Sequence, residues 1–295
     1  MQAALLSDRG VVKVSGEDGR RLLNGLATND IAAVAPDAAR YAALLTPQGK
    51  IIVDFIAVDA AVAGGGIFLD CPSTLASALV GKLNFYKLRA KVIIENLSEA
   101  LSVMALWDGA GKSEVGISFP DPRLPALGWR VMLPPWSVNE AAANLGAKLV
   151  DTEAYDMHRI GLGVPQGGAD FTYGDTFPHE ADLDQLGGVD FRKGCYVGQE
   201  VVSRVEHRNS ARRRVVPIAY DGSAPGQGAA VMAGEKEVGT LGSTANGRGL
   251  ALIRLDRVAD ALAAGTPLTC GGVAIELIKP EWAHFAWPGE AKAAE

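Results

Sequence analysis

One cysteine of the chain has neighbours that could make its thiol reactive. Cys195 follows Lys193 by two positions and directly precedes the aromatic ring of Tyr196. The thiolate is the nucleophilic and metal-binding form of cysteine, and a nearby cation stabilises it. Gly194 and Gly198 bracket the thiol, and glycine allows a ligand or another backbone to approach closely. These residues indicate a shaped loop in which the thiol could carry redox chemistry, contact a metal ion or form a covalent adduct.

The same cysteine also has a purely structural interpretation. Free cysteines are commonly buried and inert, so Cys195 could be a small core residue between ordinary turn glycines. The other two cysteines, Cys71 and Cys270, are far away in sequence, so no disulfide framework or Cys-x-x-Cys metal site is indicated. The histidines show no ligand spacing. We therefore predict no resident metal, and any metal contact of Cys195 would be brief or shared with another protein, since clusters usually take four protein ligands.

Residues 193–200, here called the signature segment, read Lys-Gly-Cys-Tyr-Val-Gly-Gln-Glu. They match every fixed position of the Lys-Gly-Cys-Tyr-x-Gly-Gln-Glu pattern of the YgfZ family, so the chain resembles these folate-binding proteins of iron-sulfur protein maturation. That family is related to T-protein, the tetrahydrofolate-dependent aminomethyltransferase of glycine cleavage. The resemblance covers nearly the whole chain. It implies Cys195 and Lys193 as the reactive residues, and it places other signature residues beside a reduced folate: Gly194, Tyr196, Gly198, Gln199 and Glu200.

A reduced folate has a flat pterin, a benzoate linker and glutamate carboxylates, and each part needs complementary groups. The resemblance aligns Glu180 with the carboxylate that holds the pterin in T-protein, where charge-assisted hydrogen bonds are strong. Tyr41 or Tyr196 could stack on the pterin, and Arg204 could meet the glutamate tail. Asp54 corresponds to an inward carboxylate on a strand found in both families. The predicted cofactor is tetrahydrofolate or another reduced folate.

The strand that carries Asp54 distinguishes folate binding from aminomethyl transfer. T-protein has an Asp-Asp pair there, and its first aspartate is essential for transfer. This chain has Val53 followed by Asp54, and valine can neither orient a nucleophile nor stabilise charge in a transition state. Asp54 could substitute only after a one-residue slip, which would turn its side chain to the opposite face. The sequence favours a folate-binding factor, with a glycine-cleavage aminomethyltransferase and a non-catalytic docking module as alternatives.

Hydrophobic patterns predict the elements that position these residues. Strands are predicted at residues 11–14, 41–45, 51–58, 66–70, 92–94, 101–106 and 129–133. Helices are predicted around Leu22, Leu23 and Leu26, from Ser73 through the core stripe of Leu75, Leu79 and Leu83, and over residues 139–145 and 151–160. Residues 167–186 then form a long polar connection of the kind that is often functional.

The pattern changes near residue 212 to short strands separated by glycine-rich turns. Strands at residues 215–220, 229–232, 236–241, 249–254 and 273–278 predict a small antiparallel barrel. The predicted fold class is therefore α+β, with a T-protein-like architecture of two α+β units and a C-terminal β-barrel. The predicted domains are residues 1–98, 99–210 and 211–288, followed by a frayed tail at residues 289–295.

Composition sets the remaining expectations. The chain has 295 residues, of which 48% are hydrophobic, and no apolar run reaches the roughly 20 residues that cross a bilayer. Its net charge of −6 does not favour bulk attraction to nucleic acid. Positive charge is concentrated after the signature segment, where we expect either a solvated loop or strand edge, or a surface for an anionic ligand: Arg204, His207, Arg208, Arg212, Arg213 and Arg214. We expect a cytoplasmic protein in a reducing compartment.

The resemblance also implies the partners of the chain. They are a reduced folate, iron-sulfur carrier proteins, and client enzymes whose clusters are assembled or repaired. The clients include radical enzymes with four-iron clusters, such as the methylthiolation enzyme for transfer RNA. No direct contact with nucleic acid or membrane is expected.

Overall fold

The computed structural model describes residues 1–109, 111–208 and 211–289, and these residues divide into two compact units. The first unit comprises Met1–Tyr155 and Leu186–Gln199, and the second comprises Asp156–Gln185 and the chain from Glu200 onward. Within the described ranges, no helix combines the length and the apolar character that a membrane span requires. The tail predicted at residues 289–295 lies outside the described residues from residue 290 onward. The division into three domains stays a prediction.

The first unit contains two five-stranded sheets. Their strands are β1 (Gln2–Leu5), β2 (Arg9–Ser15), β3 (Arg40–Leu45), β4 (Ile51–Asp59), β5 (Ile67–Pro72), β6 (Ile93–Asn96), β7 (Ser102–Trp107), β8 (Ile117–Pro120), β9 (Trp129–Leu133) and β10 (Lys148–Val150). One sheet has the order β3-β4-β5-β2-β6, and the other has the order β10-β1-β7-β9-β8. The strands predicted at residues 41–45 and 51–58 are confirmed as β3 and β4, which form an antiparallel hairpin with Ala43 opposite Asp54.

Helices cover one face of the first sheet in this unit. They are α1 (Gly19–Leu26) and α2 (Ser73–Lys87), which pack on the sheet β3-β4-β5-β2-β6. Helix α3 (Val138–Asn144) packs on the other sheet, β10-β1-β7-β9-β8. Leu23 of α1 and Leu79 and Leu83 of α2 are fully buried in one core with strand residues such as Val53. Each such burial stabilises the fold by about 2 kcal/mol, and the prediction of a leucine core stripe is confirmed.

The second unit contains the predicted barrel. Its elements are α4 (Thr152–Gly161), which begins in the first unit, α5 (Gln199–His207), β11 (Arg213–Tyr220), β12 (Ala230–Ala233), β13 (Lys236–Ala245), β14 (Arg248–Arg254), α6 (Leu255–Ala263), β15 (Leu268–Cys270) and β16 (Val273–Leu277). The six strands close in the order β11-β14-β13-β12-β15-β16. Closure leaves no free sheet edge in the barrel, and the predicted α+β class with a C-terminal β-barrel is confirmed.

Helix α5 corrects part of one expectation from the sequence. The basic stretch after the signature segment is expected to be a loop or strand edge, or a surface for an anionic ligand. Arg204 and His207 lie instead in helix α5, whereas Arg213 and Arg214 begin strand β11. The β-branched valines in this stretch lower its helix propensity, whereas burial of Val202 favours a packed helix. An ion pair between Glu200 and Arg204, one turn apart, adds a small stabilisation. Burial and local pairing therefore outweigh the intrinsic preference of the residues.

Candidate functional site

The N-terminal end of the signature segment is fixed to the end of α1 by one ammonium group. Lys193 Nζ donates hydrogen bonds to the backbone oxygens of Asn24 and Ala27, both at 2.6 Å, and of Asn29 at 2.9 Å. The last carbonyls of a helix have no partner within the helix, and a cation is favourable at that end. Lys193 therefore caps α1 and ties the segment to it.

The residues before the segment are held by the Thr-Asn pair that follows α1. The Thr28 hydroxyl donates to the backbone oxygen of Gly188 at 2.6 Å and accepts from the backbone N–H of Ala43 at 2.9 Å. Asn29 Nδ2 donates to the backbone oxygen of Gly187 at 2.7 Å. Thr28 is fully buried, so these side-chain bonds replace water contacts that the backbone groups cannot make. The approach to the signature segment is thus fixed to α1 and β3.

The two glycines that bracket the cysteine have different surroundings. Gly198 adopts a φ of +84°, and a Cβ atom there would lie 2.6 Å from the backbone oxygen of Thr46 in the β3–β4 turn. Only glycine fits this conformation and this close approach without strain. A Cβ atom at Gly194 would meet nothing within 4 Å. The fold requires glycine at position 198 and not at position 194.

Cys195 lies in the open centre of the segment and is exposed, whereas Cys71 and Cys270 are buried. Burial raises the pKa of Cys71 to about 12, and burial also raises the pKa of Cys270. A thiol with a raised pKa has little thiolate at neutral pH and reacts slowly. The interpretation of Cys195 as a buried core residue is therefore wrong, and this residue presents the accessible thiol of the chain.

The other signature residues support the segment through local contacts. Burial lowers the pKa of Lys193 to about 8, and its Nζ lies 5.2 Å from the centre of the buried Tyr196 ring. Burial raises the pKa of Tyr196, and the backbone N–H of Tyr196 donates to the Gln199 side chain at 3.3 Å. A catalytic role for Lys193 and pterin stacking by Tyr196 stay predictions.

Tyr41 and Asp54 form a buried hydrogen-bonded pair in the first unit. The Tyr41 hydroxyl donates to Asp54 Oδ2 at 3.0 Å, and both side chains are buried. Burial and the neighbouring Asp54 carboxylate raise the pKa of Tyr41 well above its ordinary value. Side chains alternate between the two faces of a strand, and Val53 lies in the hydrophobic core on the other face of β4. Folate contacts by Tyr41 and Asp54 stay predictions.

A buried charge network lies in the same unit and was missed by the sequence analysis. Asp70 pairs with Arg9 at 2.6 Å and with Arg130, which also pairs with Asp121 at 2.9 Å. Burial alone would raise the pKa of Asp121, but the guanidiniums of Arg123 and Arg130 hold it well below its usual range. Arg130 and Asp70 are 60 residues apart in the chain, and no local motif signals their pairing.

The remaining predicted site residues, Glu180, Glu200 and Arg204, belong to the second unit. Glu180 accepts hydrogen bonds from Arg213 Nε at 2.7 Å and from the backbone N–H of Phe177 at 2.9 Å. It lines a cavity of about 320 Å³ together with Phe177, His179, Val205, Ala211, Arg212, Arg213 and Arg254. Glu200 and Arg204 form an exposed ion pair on α5. A carboxylate, an aromatic ring and several cations therefore meet at this cavity.

Comparisons with known proteins identify relatives for the whole chain. Residues 212–285 match the family of the CAF17 C-terminal beta-barrel domain. The iron-sulfur cluster assembly factor IBA57 of Homo sapiens, named as mitochondrial, is 31% identical over 97% of this chain and 85% of its own length. The corresponding IBA57 homolog of Mycosarcoma maydis is 38% identical over 74% of this chain and 57% of its own length.

Two further comparisons bear on coverage and fold. The chain spans 63% of the IBA57 homolog of Chaetomium globosum and 54% of that of Neurospora crassa, less than two thirds of each. The crystal structure of the glycine cleavage system aminomethyltransferase T from Bartonella henselae matches with a TM-score of 0.74. It covers 97% of this chain and 87% of the other at 18% identity, which demonstrates a shared fold alone.

The relatives correct one prediction. A cytoplasmic location was expected from the sequence, but the curated relatives are named as mitochondrial proteins, so this prediction is wrong. It rested on cysteine spacing and on the lack of a long apolar run. Cysteine spacing indicates whether the surroundings are reducing, and apolar runs indicate membrane spans. Neither feature identifies the compartment.

Proposed function

Because the chain belongs to the family of IBA57 iron-sulfur cluster assembly factors, we propose that it supports assembly or repair of iron-sulfur clusters in client proteins. The observation that carries this proposal is the exposed Cys195 at the centre of a segment whose two ends are fixed by Lys193 and Gly198. Because the two ends are fixed, the thiol stays near one position on the first unit, so a partner has less of the segment to order than it would with a free loop.

A single thiol limits how many cluster ligands this chain can supply. Iron-sulfur clusters usually take four protein ligands, and Cys195 supplies one. The remaining ligands would come from a partner, so contact with iron is shared or brief. The proposed partners are iron-sulfur carrier proteins and cluster-containing client enzymes. As its signature segment resembles that of the YgfZ proteins, radical enzymes with four-iron clusters, including the methylthiolation enzyme for transfer RNA, are proposed clients.

We also propose that the second unit binds a reduced folate at the cavity beside Glu180. The residues suit the parts of a folate: the carboxylate of Glu180 accepts donors, Phe177 offers a ring, and Arg212 and Arg213 offer cations. When bound, a reduced folate carries one-carbon units. The residues of this chain would bind and orient it, with Glu180 held in place by Arg213.

A complementation experiment tests the role of the thiol. In cells that lack the protein, we expect Cys195→Ser to restore less activity to four-iron enzymes than the wild type at equal protein levels. The exposed Glu235→Gln on the β12–β13 turn serves as the control and should restore full activity. Full restoration by Cys195→Ser would contradict the proposal that the thiol matters.

An anaerobic calorimetric titration with tetrahydrofolate tests the cofactor. We expect saturable binding with a Kd in the micromolar range, about −8 kcal/mol. Glu180→Gln should weaken binding at least tenfold, about 1.4 kcal/mol, while Glu235→Gln should leave it unchanged. Absence of binding by the wild type would remove folate from the proposal and favour a docking module in which the signature segment meets its partner directly.

A further inference from the structure

We propose that His179, Asp184 and Glu206 form a binding site for a divalent transition-metal ion of the zinc or iron(II) class. This inference goes beyond the proposed function and does not use Cys195, although His179 also lines the cavity proposed for folate. Among the residues that the structure describes, these three offer ligand atoms that all lie within 4.8 Å of one another. Imidazole nitrogen together with carboxylate oxygen is a donor set that suits zinc and iron(II).

The spacing of the ligand atoms needs little adjustment to hold an ion. His179 Nε2 and Glu206 Oε2 are 3.1 Å apart, and two ligands bound at about 2.1 Å in tetrahedral geometry are roughly 3.4 Å apart. His179 is buried, whereas the Glu206 side chain is 44% exposed. The histidine thus has a fixed position, and Glu206 on α5 has the freedom to rotate onto an ion that enters from solvent.

Arg214 positions two of the three ligands. Its guanidinium forms a bidentate pair with Asp184, with both contacts at 2.8 Å, and it donates to the backbone oxygen of His179 at 2.8 Å. Groups that orient the ligands of a metal site are a regular part of such sites. The arginine charge opposes a cation, but Asp184 pairs with it directly, and Glu206 adds a second carboxylate to the cluster.

Arg214 also pairs with a buried carboxyl group, that of Asp182. Asp182 is fully buried and pairs with Arg214 through Oδ1 at 3.0 Å. Its Oδ2 atom is buried without a hydrogen-bond partner. One buried carboxylate oxygen beside the cluster is therefore left unused by the donors around it.

A zinc titration of the full chain tests the site. The chain carries Cys195→Ser in every sample, so that the exposed thiol does not bind the metal, and it is first treated with chelator. We expect one zinc ion per chain, and X-ray absorption should show nitrogen and oxygen ligands at about 2.0–2.1 Å. A sulfur shell at about 2.3 Å would overturn the assignment.

Glu206→Gln is the decisive variant, because its exposed side chain can change without loss of the fold. We expect at least a roughly tenfold loss of zinc affinity, and circular dichroism should remain unchanged. Glu235→Gln, an exposed glutamate on the β12–β13 turn, is the matched control and should bind as the parent does. A parent that binds no zinc would overturn the proposal, and so would binding that Glu206→Gln leaves unaltered.

Discussion

The ends and the centre of the signature segment are built on opposite principles. At the ends, Lys193 donates to three backbone oxygens and Gly198 lies against the backbone of Thr46. At the centre, Gly194 has open space around it and Cys195 is exposed. Adjacent residues of one motif therefore serve different purposes. The ends secure the fold, and the centre is left accessible to a partner.

The largest effect is expected where an anchor is fully buried. Thr28→Val removes a hydroxyl that both donates and accepts, leaving the oxygen of Gly188 and the N–H of Ala43 without this partner. We expect a loss of about 3 kcal/mol in the free energy of unfolding, since each buried unsatisfied group costs about 1–3 kcal/mol. Urea denaturation measures the loss, and hydrogen exchange should rise in residues 187–193.

The exposed Thr240 of β13 provides the control for this substitution. Thr240→Val should change the free energy of unfolding by no more than about 0.5 kcal/mol. Equal effects of the two substitutions would show that the Thr28 hydroxyl does not act as a buried anchor.

The next effect concerns the C-terminal anchor. Gly198→Ala adds a methyl group at a φ of +84°, 2.6 Å from the oxygen of Thr46. We expect a loss of about 2 kcal/mol, because a non-glycine residue in this region costs about 1–3 kcal/mol and the backbone must also move. The midpoint of urea denaturation measures this loss. An unchanged midpoint would show that the β3–β4 turn does not hold the segment.

Lys193 gives the N-terminal anchor a pH dependence. Burial lowers its pKa from 10.5 to about 8, so between these values the unfolded chain binds more protons than the folded one. The stability of the wild type should therefore rise with pH across this window. Lys193→Met removes this contribution, and the free-energy difference between wild type and variant should be larger at about pH 9.5 than at about pH 7.5.

The exposed Lys236 supplies the control for that measurement. Lys236→Met should change the free energy of unfolding by no more than about 0.5 kcal/mol at either pH. A constant difference for Lys193→Met as well would contradict the assigned coupling between burial and protonation.

The smallest effect is expected at the centre of the segment. Gly194→Ala places a methyl group in open space, so the free energy of unfolding should change by no more than about 0.5 kcal/mol. Urea denaturation beside Gly198→Ala makes the comparison direct, since the same atoms are added four residues apart. A loss at Gly194 as large as that at Gly198 would mean that the centre is also fixed by the fold.

Much of the fold follows from regular patterns in the sequence. Alternating strands and glycine-rich turns predict the barrel, and the leucine stripe predicts α2. Most of the missed elements have weak local signals. The strands β1, β8, β10 and β15 span three or four residues each, and the valines of α5 favour strands over helices, so packing and pairing decide their conformations. Helix α6 is missed although its buried residues, Leu255, Val258 and Ala261, have helical spacing.

The candidate site divides in the same way. Cys195 and its glycines are visible in the sequence because their types and spacing are unusual. The capping role of Lys193 is not visible, because its acceptors are backbone oxygens and have no residue type. His179 and Glu206 are 27 residues apart, and only the folded second unit brings them together. Sequence patterns thus identify reactive groups, and folding determines which groups they meet.

Because one cysteine is exposed and two are buried, the native thiols can report the unfolding of each unit. In the native protein a thiol reagent should modify one residue per chain, Cys195. Cys71 lies in the core of the first unit and Cys270 in that of the second, so each becomes reactive only when its own unit opens. Counting modified residues during gradual denaturation would therefore time the opening of the two units separately, without any introduced label.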